Sequence, residues 1–132
     1  MRPPRGVLLD TSVLLWSVED SPRLGSRLRR LLESDRPVFF SPISIAEITL
    51  KTALKKLDDF SQLASDLISH GYRELPLTSE HARAMQGSGA LLRHDPFDTL
   101  LIAQAVHEDL WFETADTHLL SAGLNHVRDA SE

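Results

Sequence analysis

His94-Asp95-Pro96-Phe97-Asp98-Thr99-Leu100-Leu101-Ile102-Ala103-Gln104-Ala105 reads as a helix with a sharply defined start. Asp95 suits the N-cap, Pro96 the first helical position, and Asp98 the N3 position where the acid of a capping box stands. The body behind it (Leu100, Leu101, Ile102, Ala103, Ala105, Val106) is apolar nearly all round, which predicts a buried helix rather than a surface one. Two carboxylates three residues apart share one side of its first turn. Burial raises the cost of leaving such charges unpaired, so these acids either cap the helix or face a cation.

Working outward, short apolar runs alternate with helical patterns. Val7-Leu8-Leu9 predicts a buried strand ending at Asp10, and Val38-Phe39-Phe40 a second between Pro37 and Ser41-Pro42. Trp111-Phe112-Glu113-Thr114 predicts a strand after the central helix, with Asp116 opening a short helix through Leu120. Tyr72 to Leu77 reads as an edge strand weakened by Glu74 and Pro76, and the tail near Val127 as a last edge strand. Between them, Val13 to Trp16 and the Leu24, Leu28, Leu31, Leu32 series have helical spacing. Ser44-Ile45-Ala46-Glu47 has the form of a capping box opening a helix to about Leu57, with Ala46, Leu50, Ala53, Leu54 and Leu57 as its apolar stripe. Phe60 to Ile68 predicts a helix closed by Gly71, and Ser79 to Met85 another, while Gly87-Ser88-Gly89 reads as a flexible joint. This alternation predicts a three-layer α/β domain with a mostly parallel sheet, a single domain over residues 1–132.

Composition narrows the chemistry. With 42% hydrophobic and 25% charged residues, the chain has the make-up of a globular protein. It has no cysteine, which excludes disulfides, thiolate zinc sites and cysteine nucleophiles. The apolar run behind the basic N-terminus stops at Asp10, too short for a signal-peptide core or a membrane span, so a cytoplasmic location is expected. A net charge of −5 weighs against a nonspecific nucleic-acid binder but not against an acidic, metal-loaded centre with a local basic rim.

Asp10, Glu47, Asp98 and Asp116 stand out by position. Asp10 and Asp116 lie where a strand gives way to a helix, and Glu47 and Asp98 are read into first turns of helices. Sites in open α/β sheets form beyond the carboxyl ends of the strands, so all four are candidates for one rim. Each taken singly is explained by the helix dipole, about 0.3–1 kcal/mol, or by capping, about 1 kcal/mol. Together they would repel by several kcal/mol at ~4 Å separation and an effective dielectric of 20. A hard divalent cation resolves that repulsion, and an all-oxygen site suits Mg²⁺ or Mn²⁺.

Four segments in order, Leu8 to Trp16, Ser41 to Glu47 with Lys51, His94 to Ala105, and Thr114-Ala115-Asp116, resemble the PIN-domain family, and more closely its VapC-type toxins. Together they frame nearly the whole chain; the Asp-Pro-Phe-Asp start with its Ile-Ala-Gln-Ala helix is the most specific. The resemblance implies a three-layer α/β/α PIN-like fold and a metal-dependent endoribonuclease. Asp10, Glu47, Asp98 and Asp116 would hold one or two Mg²⁺ or Mn²⁺ ions that activate water for attack on a phosphodiester, giving a 5′-phosphate and a 3′-hydroxyl. Thr11 and Ser12 would support the site through a hydroxyl or N–H, with Asp95 chiefly a cap. Lys51, Lys55, Lys56, Arg93 and His94 are candidates for RNA contacts, although Lys51 also fits a simple ion pair with Glu47. The implied partners are RNA, a cognate VapB-type antitoxin and a second copy of the chain, with no membrane.

Two departures are visible. Thr99 stands where the family commonly has an arginine, leaving Arg93 or His94 to supply a cation, and Ile45-Ala46 precedes Glu47 where a tryptophan is frequent. Val13, Leu14, Leu24 and Leu28 are candidates either for a partner-binding face or for core, while Trp16 and Trp111 read as core. A PIN-fold binding module without turnover and a free-standing PIN nuclease without an antitoxin remain as alternatives. A related phosphoryl-transfer enzyme lacks its Asp-x-Asp pair here.

Overall fold

The computed structural model describes residues 3–54, 59–91 and 95–132, with the side chains of 88, 90 and 91 set aside. Five strands form one sheet in the order β3-β2-β1-β4-β5: β1 (Val7–Leu9), β2 (Val38–Phe40), β3 (Arg73–Glu74), β4 (Trp111–Thr114) and β5 (Val127–Asp129). Every pairing is parallel. The short runs expected from sequence are thus strands, the two weak ones lie at the edges, and the sheet is wholly rather than mostly parallel.

Side-chain alternation along the central strands divides the core into two layers. Val7, Leu9, Val38 and Phe40 face α1 (Thr11–Glu19), α2 (Ser26–Leu32) and α4 (Leu63–Ser69). Leu8, Phe39 and Phe112 face α6 (Pro96–His107) and α7 (Thr117–Ser121). Strands buried on both faces need no polar alternation, which is why β1 and β2 are apolar throughout. Complete burial of side chains such as Leu8, Phe40 and Phe112 contributes about 1.5–3 kcal/mol each. The two layers of helices and the sheet between them make a three-layer α/β/α fold.

The central helix begins where its sequence says. Asp95 accepts the Phe97 N–H at 2.8 Å, Pro96 occupies the first turn, and Thr99 and Leu101 through Ala105 are buried. Gln104 is the polar exception in this body. Its Oε1 accepts from the Ser41 hydroxyl and its Nε2 donates to Leu75 O at 3.1 Å, tying α6 to the chain beyond β2 and β3.

Helix α3 (Pro42–Ala53) departs from expectation. It starts at Ser41-Pro42, whose side chain caps the Ile43 N–H, three residues before the Ser44 capping box read from sequence. Ser44 is instead buried under α1 and accepts from Thr11 Oγ1 at 2.9 Å. The buried residues of α3 are therefore Ile43, Ser44 and Ile48, while Ala46, Ala53, Leu50 (51% exposed) and Leu54 (57% exposed) face outward. A polar residue in the buried row hides that row from a purely apolar pattern. Leu57, Lys55 and Lys56 lie outside the described residues.

Val13, Leu14, Leu24 and Leu28 are buried core, not a free face. Residues 85–91, after α5 (Ser79–Ala84), form 3-10 turns with a break at Gly89, where a simple flexible joint was expected. Gly71 follows α4 with φ of +91°, the left-handed conformation that ends a helix at low cost for glycine.

Candidate active site

Parallel strands send all their carboxyl ends to one side, and there the four acids meet. Asp10 follows β1, Asp116 comes two residues after β4, Glu47 projects from α3, and Asp98 lies in the first turn of α6. All four line one cleft of about 500 Å³, together with Thr11, Ser12, Lys51 and Asp95. Glu47 stands in the second turn of α3 rather than the first, because the helix starts earlier, so the helix N-terminus gives it little support.

Asp10 is the most deeply placed, 6% exposed. It caps α1 by accepting the Thr11 N–H at 2.7 Å, and its other oxygen accepts from Thr114 Oγ1 at 2.6 Å. The register explains this second contact. Leu8 pairs with Phe112 and Leu9 with Glu113, so one further step sets Asp10 beside Thr114. The Thr114 hydroxyl also accepts the Asp116 N–H at 3.1 Å. Burial pushes the Asp10 carboxyl above its usual range, the Thr114 and Thr11 hydrogen bonds pull it back, and the charges of Glu47 and Asp116 add to the rise.

Asp116 caps α7, accepting from the His118 and Leu119 N–H groups at 2.8 and 3.4 Å. Glu47 Oε2 pairs with Lys51 Nζ at 3.2 Å, as the four-residue spacing predicts. Glu47 Oε1 is buried with no hydrogen-bond partner among the described residues. An orphaned carboxylate oxygen in a cleft shared with three more acids is an oxygen donor waiting for a cation, and it fits a hard divalent ion.

Thr11 is buried, with its hydroxyl given to Ser44, so its N–H is the part that serves Asp10; Ser12 is exposed on the cleft wall. Asp95 both caps α6 and lines the cleft. Thr99 is buried inside α6, with its Oγ1 bonded back to Asp95 O at 3.2 Å. Arg93, His94 and Lys55 lie outside the described residues. Trp16, expected as core, has a double placement: it packs on the core and also lines the cleft.

Thr114 and the ion pair behind it were not singled out from sequence. Glu113 is fully buried on the Leu9 side of the sheet, where Arg27 from α2 meets it with two hydrogen bonds of 3.0 and 2.6 Å. The signal was present: a carboxylate within an apolar strand of a doubly covered sheet requires a cation.

A second cluster lies at the opposite end of the sheet. His81, His107 and Glu108 are the one set of His and acidic ligand atoms within 4.8 Å of one another among the described residues. Glu108 there also meets Arg5, which precedes β1, whereas Asp10 follows it. His81 Nδ1 accepts the Thr78 N–H at 3.0 Å, so the ring proton sits on Nε2, facing Glu108 at 2.8 Å. That leaves His81 no free lone pair for a metal, and the cluster is a hydrogen-bonded helix cap.

The PIN domain family model matches residues 7–123. Among solved structures, a toxin–antitoxin complex from Klebsiella pneumoniae is similar at 17% identity and a TM-score of 0.66, over 95% of this chain and 98% of that one. DNA-bound VapBC from Salmonella typhimurium gives 19% and 0.68 over 94% and 97%, and FitAcB from Neisseria gonorrhoeae 24% and 0.60 over 84% and 88%. No curated protein sequence matches the chain. Among the described residues no helix is long and apolar enough to cross a membrane.

Proposed function

Because this chain belongs to the PIN-domain family, we propose that it is a divalent-metal-dependent endoribonuclease and the toxin of a toxin–antitoxin pair. One observation carries the nuclease reading: four carboxylates from distant parts of the chain line a single cleft, and the buried Glu47 Oε1 among them lacks a partner. Asp10, Glu47, Asp98 and Asp116 would hold one or two Mg²⁺ or Mn²⁺ ions. Bound there, the cation supplies charge neutralisation at the phosphodiester and activation of the attacking water.

The chain's own residues do the positioning. Thr114 and the Thr11 N–H orient the two oxygens of Asp10, and the Asp116 carboxylate is aimed by its cap on α7. The buried body of α6 holds Asp98 at the rim as part of a rigid element, the arrangement that makes charge placement effective. Lys51, held by Glu47, is the described cation lining the cleft and the candidate to meet a substrate phosphate; Lys55, Arg93 and His94 are proposed for the same rim.

The Klebsiella neighbour is a toxin–antitoxin complex, which supports a VapB-type antitoxin as partner; a homodimer in the cytoplasm completes the reading. The test is cleavage of a panel of structured RNAs by the purified, partner-free chain with Mg²⁺, Mn²⁺ or EDTA, beside Asp10→Asn and Asp98→Asn. Metal-dependent cleavage lost in both variants is expected. Absence of cleavage with every metal, or normal cleavage by the variants, overturns it. Co-expression with the product of a small reading frame beside the gene is expected to suppress cleavage and growth arrest.

A further inference from the structure

We propose that Trp16 and Arg23 form a nucleotide subsite beside the acidic cleft, which takes an unstacked base and its phosphate from single-stranded RNA. The proposal rests on the ribonuclease reading and adds to it where the substrate lies.

Trp16 packs on the core through part of its indole and lines the cleft that holds the acids, so it is an aromatic wall in a fixed orientation. The Arg23 guanidinium carbon sits 5.9 Å from the centroid of that ring, within cation–π range. A hydrogen-bonded turn fixes the backbone that carries Arg23 relative to Trp16. Trp16 O accepts the Ser21 N–H at 2.9 Å, Ser21 O accepts the Leu24 N–H at 3.1 Å, and Ser21 Oγ accepts the Arg23 N–H at 3.2 Å.

Several arginines lack an acidic partner among the described residues, and Arg23 is the one of them whose guanidinium stands over a ring that lines the cleft. Lys51 is paired with Glu47, Arg27 with Glu113 and Arg29 with Asp20. Arg23 is exposed and has no acidic partner among the described residues. A polyanion approaching four carboxylates on a chain of net charge −5 needs a compensating cation and a surface indifferent to charge. A guanidinium held 5.9 Å from the centre of an indole offers both, and aromatic stacking accepts any base provided it is free of a duplex.

The experiment uses the full chain carrying Asp98→Asn, to stop cleavage, and Trp111→Phe, which leaves Trp16 as the sole tryptophan of the two in the chain. Short single-stranded oligoribonucleotides are titrated in Mg²⁺ while indole emission is followed. Saturable quenching is expected, absent with the same strand in a duplex and weakened by an abasic position. Arg23→Ala should lower affinity about five- to tenfold and reduce the salt slope by about one. By fluorescence anisotropy of a dye-labelled strand, which needs no tryptophan in the protein, Trp16→Phe should bind more tightly than Trp16→Leu. Because Arg23 is exposed, its variant tests the idea even if Trp16→Leu fails to fold. Unchanged emission at saturating RNA, or wild-type affinity in Arg23→Ala, overturns the subsite. If that occurs while the unmodified chain still cleaves RNA, the nuclease reading survives; if the unmodified chain neither binds nor cleaves RNA, both fall.

Discussion

Thr114 Oγ1 donates to Asp10 Oδ2 at 2.6 Å and accepts the Asp116 N–H at 3.1 Å, so one hydroxyl joins two of the cleft's acids. Thr114→Val keeps the shape and removes the donor, which leaves a buried carboxylate oxygen short of a partner. Loss of a group that orients metal ligands typically costs 10–100-fold in activity or metal affinity. RNA cleavage by Thr114→Val is expected to fall by roughly tenfold or more, with a higher Mg²⁺ requirement, while Thr114→Ser stays near wild type. Equal Mg²⁺ titration curves for all three proteins would show that the bridge is merely structural.

Burial raises the Asp10 carboxyl, with Glu47 and Asp116 adding to the rise, so its ionised form is disfavoured in the metal-free fold. Asp10 therefore favours the fold when protonated, below its unfolded value of 3.8, and that contribution is lost as pH rises through the elevated folded value. At neutral pH in EDTA, Asp10→Asn should therefore be the more stable protein, by about 1 kcal/mol, or roughly 4 °C in Tm. The gain should shrink near pH 4. Mg²⁺ should raise the Tm of the unmodified chain and leave the variant unmoved, because only a ligand that binds the fold stabilises it. Thermal melts with and without EDTA at two pH values decide the matter.

The elements that sequence made legible are those governed by local physics. Val7–Leu9, Val38–Phe40 and Trp111–Thr114 are the strands that apolar runs predicted, and Asp95-Pro96 starts α6 by capping alone. Cleft assembly was legible for Asp10 and Asp116, because a parallel sheet aligns strand ends. What sequence obscured depends on partners from elsewhere in the chain. Ser44 looked like a cap because its tie to Thr11 spans 33 positions, and the outward face of α3 followed from that error. Trp16 looked like core because hydropathy cannot see that the same ring also lines a cleft.

Glu113 is fully buried and held by Arg27, with Arg128 Nε farther off at 3.9 Å. Removing one member of a buried pair costs more than the pair contributes, because a bare charge remains. Arg27→Met should destabilise by about 3–5 kcal/mol. Arg27→Met with Glu113→Leu should recover most of that loss, since two apolar side chains suit the Leu9 side of the sheet. A double-mutant cycle by urea unfolding measures the coupling. Additive losses would mean that Arg128 already satisfies the carboxylate.

At the far end of the sheet, the hydrogen bond from His81 holds the Glu108 carboxyl below its ordinary range against its partial burial, and the nearby Arg5 charge acts in the same direction. A lowered carboxylate stabilises the fold above its unfolded value of 4.5, and that stability disappears as pH falls through the folded value. Glu108 is partly exposed, so solvent screening limits the effect to about 1 kcal/mol or less. Glu108→Gln should melt a few degrees lower at pH 7, about 1–4 °C, and the two melting curves should converge below the ordinary carboxylate range. Because this cluster and the acidic cleft lie at opposite ends of the sheet, RNA cleavage at neutral pH should not change. A variant that loses cleavage while keeping its Tm would instead place Glu108 in communication with the cleft.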